Sequence, residues 1–316
     1  MIEIYKLKRN SLGIFSRKIP TVFRKVLENL FLLVKIKRAC IFKIAQKEVM
    51  RDIEKFFASK TAGREPLFEY VEIETINKCN GTCTFCPVNR NLDPRPLTKM
   101  SDDTFYKIID NLAKLNYSRQ IGYYSNNEPL MDNRIYDFIK YGVSKLPNAR
   151  HILFTNGTLL NCDKFQSLID SGLNFLYIDN YNDNGELNSN IKKIYDEYKN
   201  KEFSLNCKIY MRLNNEVLNN RGGSAPNKPK NRKPLNVSCY KPFMQLIIRA
   251  DCGVSLCCDD ALGKVTLGNV QEQTIEEIWY GQKHLDILES MRKNTRSGIC
   301  KECDIVSSDK HYNAFI

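Results

Sequence analysis

The sequence predicts an α/β protein built on a parallel sheet rolled into an open or partial (βα) barrel, with a small cysteine-bearing C-terminal domain. Three observations carry this. From Phe68 onward, short strand-like apolar runs alternate with amphipathic helical ones, and repeated βα units place a parallel sheet inside and helices outside. The alternation stops at Asn219–Pro234, a stretch rich in Asn, Gly, Pro and Lys. Seven of the 12 cysteines fall into two groups with ligand-like spacing, one just after the first predicted barrel strand and one beyond the break. These features divide the chain into a basic helical extension over 1–62, a partial barrel over 63–223, and a linker with a cysteine-bearing domain over 224–316.

Each element has a local reason. Between Pro20 and Phe57, Phe23, Val26, Leu27, Leu30, Phe31 and Val34 recur near helical spacing with Lys and Arg between them. Phe68–Thr75 alternates with period two and leads into the first cysteine loop. Ser101-Asp102-Asp103 is a helix start ahead of Phe105, Ile108, Ile109, Leu112 and Leu115. Then follow a strand at Gln120–Tyr124, a helix at Arg134–Lys145, and a strand at His151–Phe154 ending in Thr155-Asn156-Gly157. A helix at Cys162–Ser171, a strand at Phe175–Ile178, a helix at Leu187–Lys199 and a strand at Cys207–Leu213 continue the rhythm. Beyond the break, Met244–Ile248 and Val254–Leu256 are short strands and Thr274–Tyr280 a helix.

Composition excludes several classes. With 42% hydrophobic and 27% charged residues, the chain is neither disordered nor fibrous. The apolar run Leu30–Val34 is far short of the ~20 residues of a spanning helix. Lys35, Lys37 and Arg38 follow it where a secretory signal would be cleaved. The expected location is cytoplasmic. The net charge of +12 is concentrated at the start: residues 1–60 hold 15 Lys and Arg against 5 Asp and Glu, and the rest 33 against 31. A general nucleic-acid surface is therefore not expected. The basic arm reads either as a helix packed on the barrel or as a peripheral contact with the anionic inner face of a membrane through residues 1–60.

Clustered cysteines in a reducing compartment point to metal or catalysis. Cys79-Asn-Gly-Thr-Cys83-Thr-Phe-Cys86 offers three thiolates on one loop. Three thiolates can hold three irons of a [4Fe–4S] cluster and leave the fourth open. A structural zinc would want a fourth protein ligand, and neither His nor another Cys is near in sequence.

This triplet, with Phe85 before its third cysteine, resembles the cluster loop of radical S-adenosylmethionine (SAM) enzymes. Asn127-Glu128-Pro129-Leu130 resembles the family's Gly-Glu-Pro segment, with Asn127 where glycine is usual, and Thr155-Asn156-Gly157 resembles its Thr-Asn-Gly. The resemblance implies that Phe85, Asn127, Glu128, Thr155 and Asn156 line the SAM cavity.

Cys239, Cys258, Cys300 and Cys303 resemble the auxiliary-cluster extension of such enzymes in its short "twitch" (SPASM-like) form. Cys258 satisfies a Gly253-x4-Cys258 spacing, although Cys257 and Cys252 are neighbours that leave the register open; a zinc ribbon is the alternative. The remaining Cys40, Cys162, Cys207, Cys252 and Cys257 read as buried thiols.

The segment Asn219-Asn220-Arg221-Gly222-Gly223 resembles that of twitch-bearing aminocyclitol dehydrogenases, in which the arginine faces substrate. The implied cofactors are two [4Fe–4S] clusters and SAM, with a one-electron reductant such as flavodoxin or ferredoxin. The implied reaction removes hydrogen from a carbon bearing a hydroxyl and passes an electron to the auxiliary cluster, leaving a ketone. Arg221 is then the candidate catalytic residue, for proton acceptance or orientation. The substrate class is a polyol, sugar or aminocyclitol; Lys228, Lys230, Arg232 and Lys233 read first as a solvated linker, and would otherwise suit a phosphorylated or nucleotide-linked form. A peptide-modifying maturase and a sugar epimerase remain as alternatives.

Overall fold

The computed structural model describes residues 2–6, 46–59 and 67–305. Its strands are β1 (Ile2–Lys6), β2 (Tyr70–Ile73), β3 (Gln120–Gly122), β4 (Arg150–Thr155), β5 (Phe175–Tyr181), β6 (Asn206–Arg212), β7 (Gln245–Ile248), β8 (Gly253–Ser255) and β9 (Thr266–Asn269). Among the described residues they form one open sheet in the order β1-β6-β5-β4-β3-β2-β7-β8-β9. Every pairing from β1 through β7 is parallel, and β8 and β9 are antiparallel additions. The barrel is thus partial, as expected.

The helices sit where the apolar periodicity puts them. They are α1 (46–59), α2 (Asp102–Lys114), α3 (Ile135–Lys145), α4 (Cys162–Asp170), α5 (Ser189–Tyr198), α6 (Lys241–Met244), α7 (Ile275–Trp279) and α8 (Gln282–Arg292). Ser101 caps α2 by accepting from Thr104 N, as its position predicts. Phe105, Ile108, Ile109 and Leu112 are buried beneath it, and Phe105 stacks on Phe138 of α3 at 4.1 Å. Thr274 and Glu277 close a reciprocal capping box at the start of α7.

The two faces of the parallel strands differ in character. Side chains alternate along a strand, so Leu176, Ile178 and Asn180 of β5 form one fully buried face. On the opposite face an aromatic row crosses the sheet. Tyr5 stacks on Tyr210 at 5.2 Å, Tyr210 on Tyr177 at 6.2 Å, Tyr177 on Phe154 at 4.5 Å, and Phe154 meets Tyr124 at 4.7 Å.

The N-terminal extension is not helical throughout. Ile2–Lys6 is a strand that pairs in parallel with β6 at the edge of the main sheet. The reason is legible in Ile-Glu-Ile-Tyr, a period-two alternation that the surrounding basic charge obscures. In α1, Val49, Ile53 and Phe56 are buried, and Phe56 meets Phe243 edge-on at 5.3 Å. Arg292 of α8 donates to Glu54 at 2.8 and 2.6 Å. This part of the extension therefore covers the C-terminal region. Phe23–Val34, on which the expectation of membrane contact rests, lies outside the described residues. Among the described residues no helix is long and apolar enough to cross a membrane.

Trp279 joins the two regions. It is fully buried, edge-on to Phe68 before β2 at 5.2 Å, and its carbonyl bonds His284 at 2.7 Å. Trp279→Ala is expected to destabilise the protein by about 3–5 kcal/mol, read as a lower midpoint of thermal unfolding for the cluster-loaded protein; an unchanged midpoint would refute this packing role.

Candidate functional site

Catalytic loops of βα folds gather at the C-terminal ends of the strands, and here three of them meet. Cys79, Cys83 and Cys86 follow β2, Asn127-Glu128 follows β3, and Thr155-Asn156 ends β4. Glu128, 1% exposed, ties the last two together. Its carboxylate accepts from Thr155 Oγ1 at 2.6 Å, Asn156 N at 2.8 Å and Leu130 N at 3.1 Å. Burial raises its pKa, and these three donors oppose the rise. Asn156 Nδ2 in turn donates to Asn80 Oδ1 at 2.8 Å, inside the cysteine loop. Arg95 clamps the loop from the other side. It donates to Glu74 at 3.0 Å and to the carbonyls of Asn77 and Asn126 at 2.9 and 3.0 Å.

The donor set fits an iron–sulfur cluster. Gly81 lets the backbone lie close to the thiols: a Cβ there would lie 3.3 Å from Cys79 Sγ, a tight contact, and 3.9 Å from Cys83 Sγ. Burial pushes both thiols up to about 12, so a cationic partner is needed to hold them as thiolates. Asn127, in the place of the usual glycine, turns Oδ1 back onto Ser125 N at 2.9 Å, while its buried Nδ2 has no hydrogen-bond partner within the protein. Such a donor suits a bound polar cofactor. Phe85 packs on Tyr181 at 5.9 Å beside the loop.

The second cysteine group lies between the sheet extension and the C-terminal turn. Cys300 has Cys239 and Cys303 within electrostatic reach, and Cys257 has Cys300. Beside the Cys258 thiol, Lys241 Nζ is 3.5 Å from the sulfur, and Asp259, Glu72 and Arg221 lie within electrostatic reach. The turn before β8 explains the offset. Cys252, not Gly253, holds the left-handed conformation, at φ +69°, so Cys252 occupies the place a glycine would favour. After four intervening residues comes Cys257.

Between the two cysteine groups is a buried polar cluster. Arg221, at φ +51° in a turn continued by Gly222 and Gly223, donates to Asn126 Oδ1 and lies 3.8 Å from Asp259 Oδ1. Asn126 Nδ2 donates to the Cys258 carbonyl at 3.3 Å. Lys241 pairs with the other oxygen of Asp259. Burial acts to raise Asp259, but Lys241 and Arg221 outweigh it and hold the carboxyl below its ordinary value. Glu72 of β2 accepts from Ser125 Oγ at 2.8 Å, and burial pushes it up to about 7.

The chain matches the radical SAM superfamily over residues 73–213 and the SPASM iron–sulfur cluster-binding domain over 239–304. The chain thus carries a radical SAM domain followed by a SPASM domain. A S-adenosyl-L-methionine-dependent 2-deoxy-scyllo-inosamine dehydrogenase of Niallia circulans is 28% identical over 246 residues, covering 77% of this chain and 95% of the relative. The structure of BtrN with AdoMet and 2-DOIA superposes with a TM-score of 0.65 at 26% identity, over 76% of this chain and 94% of that one. BtrN in an open conformation shares the fold, with a TM-score of 0.57 at 22% identity. Radical SAM and SPASM domains imply [4Fe–4S] clusters and SAM as cofactors.

Sequence reasoning singled out Arg221 at the substrate end and missed its company. Glu72, Asn126, Lys241 and Asp259 carry no motif; only Asp259, following the paired cysteines, had a nearby signal. The basic loop proved to be a brace, since Lys228 pairs with Asp304 at 2.5 Å and Lys230 with Glu302 at 2.9 Å. A cavity of about 710 Å³ opens at the opposite ends of the strands, lined by Arg119, Arg150, Phe175 and Asn206 among others, away from all this chemistry. Gly81→Ala is expected to lower the iron content of the anaerobically reconstituted protein and to abolish most SAM cleavage; full iron loading would show that the loop does not need this close approach.

Proposed function

We propose that this radical SAM protein is a dehydrogenase that converts a secondary alcohol on a cyclic polyol or sugar to a ketone. The observation that carries the reading is Asn126, which hydrogen-bonds both Arg221 and the Cys258 carbonyl from a position next to Asn127-Glu128. It joins the Asn127-Glu128 turn to Arg221 and to the second cysteine group. A first cluster with SAM, held by the Cys79 loop, would supply hydrogen-atom abstraction, and a second, held by the C-terminal cysteines, would accept the electron that oxidation releases.

The chain's own residues do the rest. Cys79, Cys83 and Cys86 would hold the first cluster. Asn127, Glu128, Thr155 and Asn156 would hold SAM, with Phe85 against the loop. Cys239, Cys300 and Cys303 would hold the second cluster. Its fourth ligand comes from the adjacent pair, and the surroundings of Cys257 favour it over Cys258. Arg221 orients the substrate hydroxyl as a hydrogen-bond donor, since a guanidinium is a poor base. Glu72, lifted to about 7 by burial, is suited to receive the hydroxyl proton, because a base works best when its pKa lies near the working pH. A one-electron reductant of the flavodoxin or ferredoxin kind belongs to the same proposal.

Anaerobic incubation with SAM, reductant and a panel of cyclic polyols is expected to yield 5′-deoxyadenosine and a product two hydrogens lighter. Ketone formation should rise with pH through about 7 as Glu72 ionises. Glu72→Gln should flatten that rise and lower the rate by ~10²–10⁴-fold. A pH profile unchanged in Glu72→Gln would remove Glu72 from the reaction, and 5′-deoxyadenosine without any oxidised product would remove the dehydrogenase reading. The register is tested separately. Cys257→Ala should retain about four of about eight irons and Cys258→Ala all of them; the reverse outcome would return the ligand to Cys258.

A further inference from the structure

Among the described residues, five large apolar side chains stand exposed: Tyr5, Leu92, Leu97, Met131 and Val217. Four of them sit on segments fastened to the first cysteine loop. Leu92 donates its N–H to Asn89 Oδ1 at 3.1 Å, and Asn89 Nδ2 donates to the carbonyls of Cys83 and Cys86 at 3.1 and 2.9 Å. Leu97 lies between Pro96 and Thr98, both hydrogen-bonded to Asn77 just before Cys79. Met131 donates to the Glu128 carbonyl at 3.2 Å, and Glu128 N–H meets the Lys78 carbonyl at 2.9 Å. Val217 follows Glu216, whose carbonyl shares Asn227 Nδ2 with Thr84 Oγ1, at 2.8 and 3.3 Å. Leu97 and Val217 are the barest, at 68% and 66% exposed.

Exposed apolar side chains gathered in one region mark a contact surface, and the charge around them says with what. Residues 78–99 hold Lys78, Arg90, Arg95 and Lys99 against Asp93 alone. A doubly positive [4Fe–4S] cluster on three thiolates subtracts only one charge, so the loaded loop stays positive. Arg90 is exposed and pairs with no carboxylate among the described residues. Its N–H donates to the Gly81 carbonyl at 2.9 Å, between Cys79 and Cys83. Apolar side chains beside an arginine and a basic rim suit an acidic protein. The patch is also a short way in for an electron. Transfer weakens steeply with distance, and a single side chain, Asn89, joins Leu92 to the Cys83 and Cys86 carbonyls.

We propose that the surface around Arg90, Leu92 and Leu97 is where the reductant docks, and that the reductant is an acidic one-electron carrier protein. This rests on the preceding reading that such a carrier serves the cluster held by Cys79, Cys83 and Cys86. The carrier gives up one electron to that cluster; no proton moves and no bond forms or breaks. A lipid surface would also meet apolar and basic groups, but it gains nothing from their connection to the cysteine loop.

The test uses the full chain loaded with iron–sulfur clusters and SAM under anaerobic conditions. The carrier is a flavodoxin, and dithionite serves as a reductant that needs no docking. Binding of oxidised flavodoxin, read by isothermal titration calorimetry, requires no turnover. The native protein is expected to bind it, and less tightly as salt rises. Arg90→Glu and Leu97→Asp should each weaken binding and raise the KM for flavodoxin by about tenfold, while dithionite-driven SAM cleavage stays at the native rate. Arg90→Lys, which keeps the charge, should bind as the native protein does. Absence of flavodoxin binding by the native protein overturns the proposal, as do native binding and KM in both variants. An equal loss with dithionite also overturns it. If Arg90→Glu fails to retain iron, Leu97→Asp decides. Variants that keep their flavodoxin kinetics but lose binding to anionic phosphatidylglycerol vesicles would make the patch a membrane face and end the proposal. Impaired flavodoxin kinetics in the variants, with 5′-deoxyadenosine but no oxidised polyol from the native protein, would sink the dehydrogenase reading and leave this one standing. Ketone formation with flavodoxin kinetics unchanged in both variants would do the opposite.

Discussion

A carboxylate removed from water must find its donors within the protein, and Glu128 finds three, from the ends of β4 and from its own turn. Much of the site depends on that arrangement. It draws the turn after β3 against the Thr155-Asn156 end of β4, and Asn156 then reaches Asn80 in the cysteine loop. Three chain segments that are distant in sequence are thereby held at fixed separation. Replacing Glu128 by an apolar residue would leave the Thr155 hydroxyl and two backbone N–H groups without their buried acceptor, which is costlier than losing an exposed bond. The raised pKa of Glu128 follows from the same burial.

The second constraint is the loop that carries Arg221. A non-glycine residue at φ +51° is strained unless its surroundings over-determine it. Here they do. Asn220 is fully buried and bonds the carbonyl of Glu302, while its backbone N–H meets Asp304 at 2.9 Å. Gly223 continues the turn at φ +77°, a conformation glycine adopts without strain. The loop is thus fastened to the segment bearing Cys300 and Cys303, and Arg221 is presented toward Asn126 and Asp259. A long polar stretch that reads as a linker thus holds Arg221 against Asn126 and Asp259.

The sheet, the cysteine loop and the Glu128 network suit radical chemistry on many substrates, and fold alone does not select among them. Around Arg221 the chain places charges of its own: Lys241 and Arg221 flank opposite oxygens of the buried Asp259.

What the sequence by itself determined is whatever depends on local spacing. The period-two and helical patterns yielded the βα order, and Ser101 marked the start of α2. The triplet Cys79, Cys83, Cys86 and the segments at Asn127-Glu128 and Thr155-Asn156 were legible because their chemistry sits on single short loops. Ile2–Lys6 escaped notice because a five-residue strand is stable only beside a partner, and β6 lies some 200 residues away. The register of the adjacent Cys257 and Cys258 is likewise a matter of tertiary structure, since the left-handed turn falls on Cys252 and not on Gly253. Tertiary structure alone gathered Glu72, Asn126, Arg221, Lys241 and Asp259. Their association is electrostatic and long-range in sequence, and burial, which no spacing encodes, makes those charges seek one another.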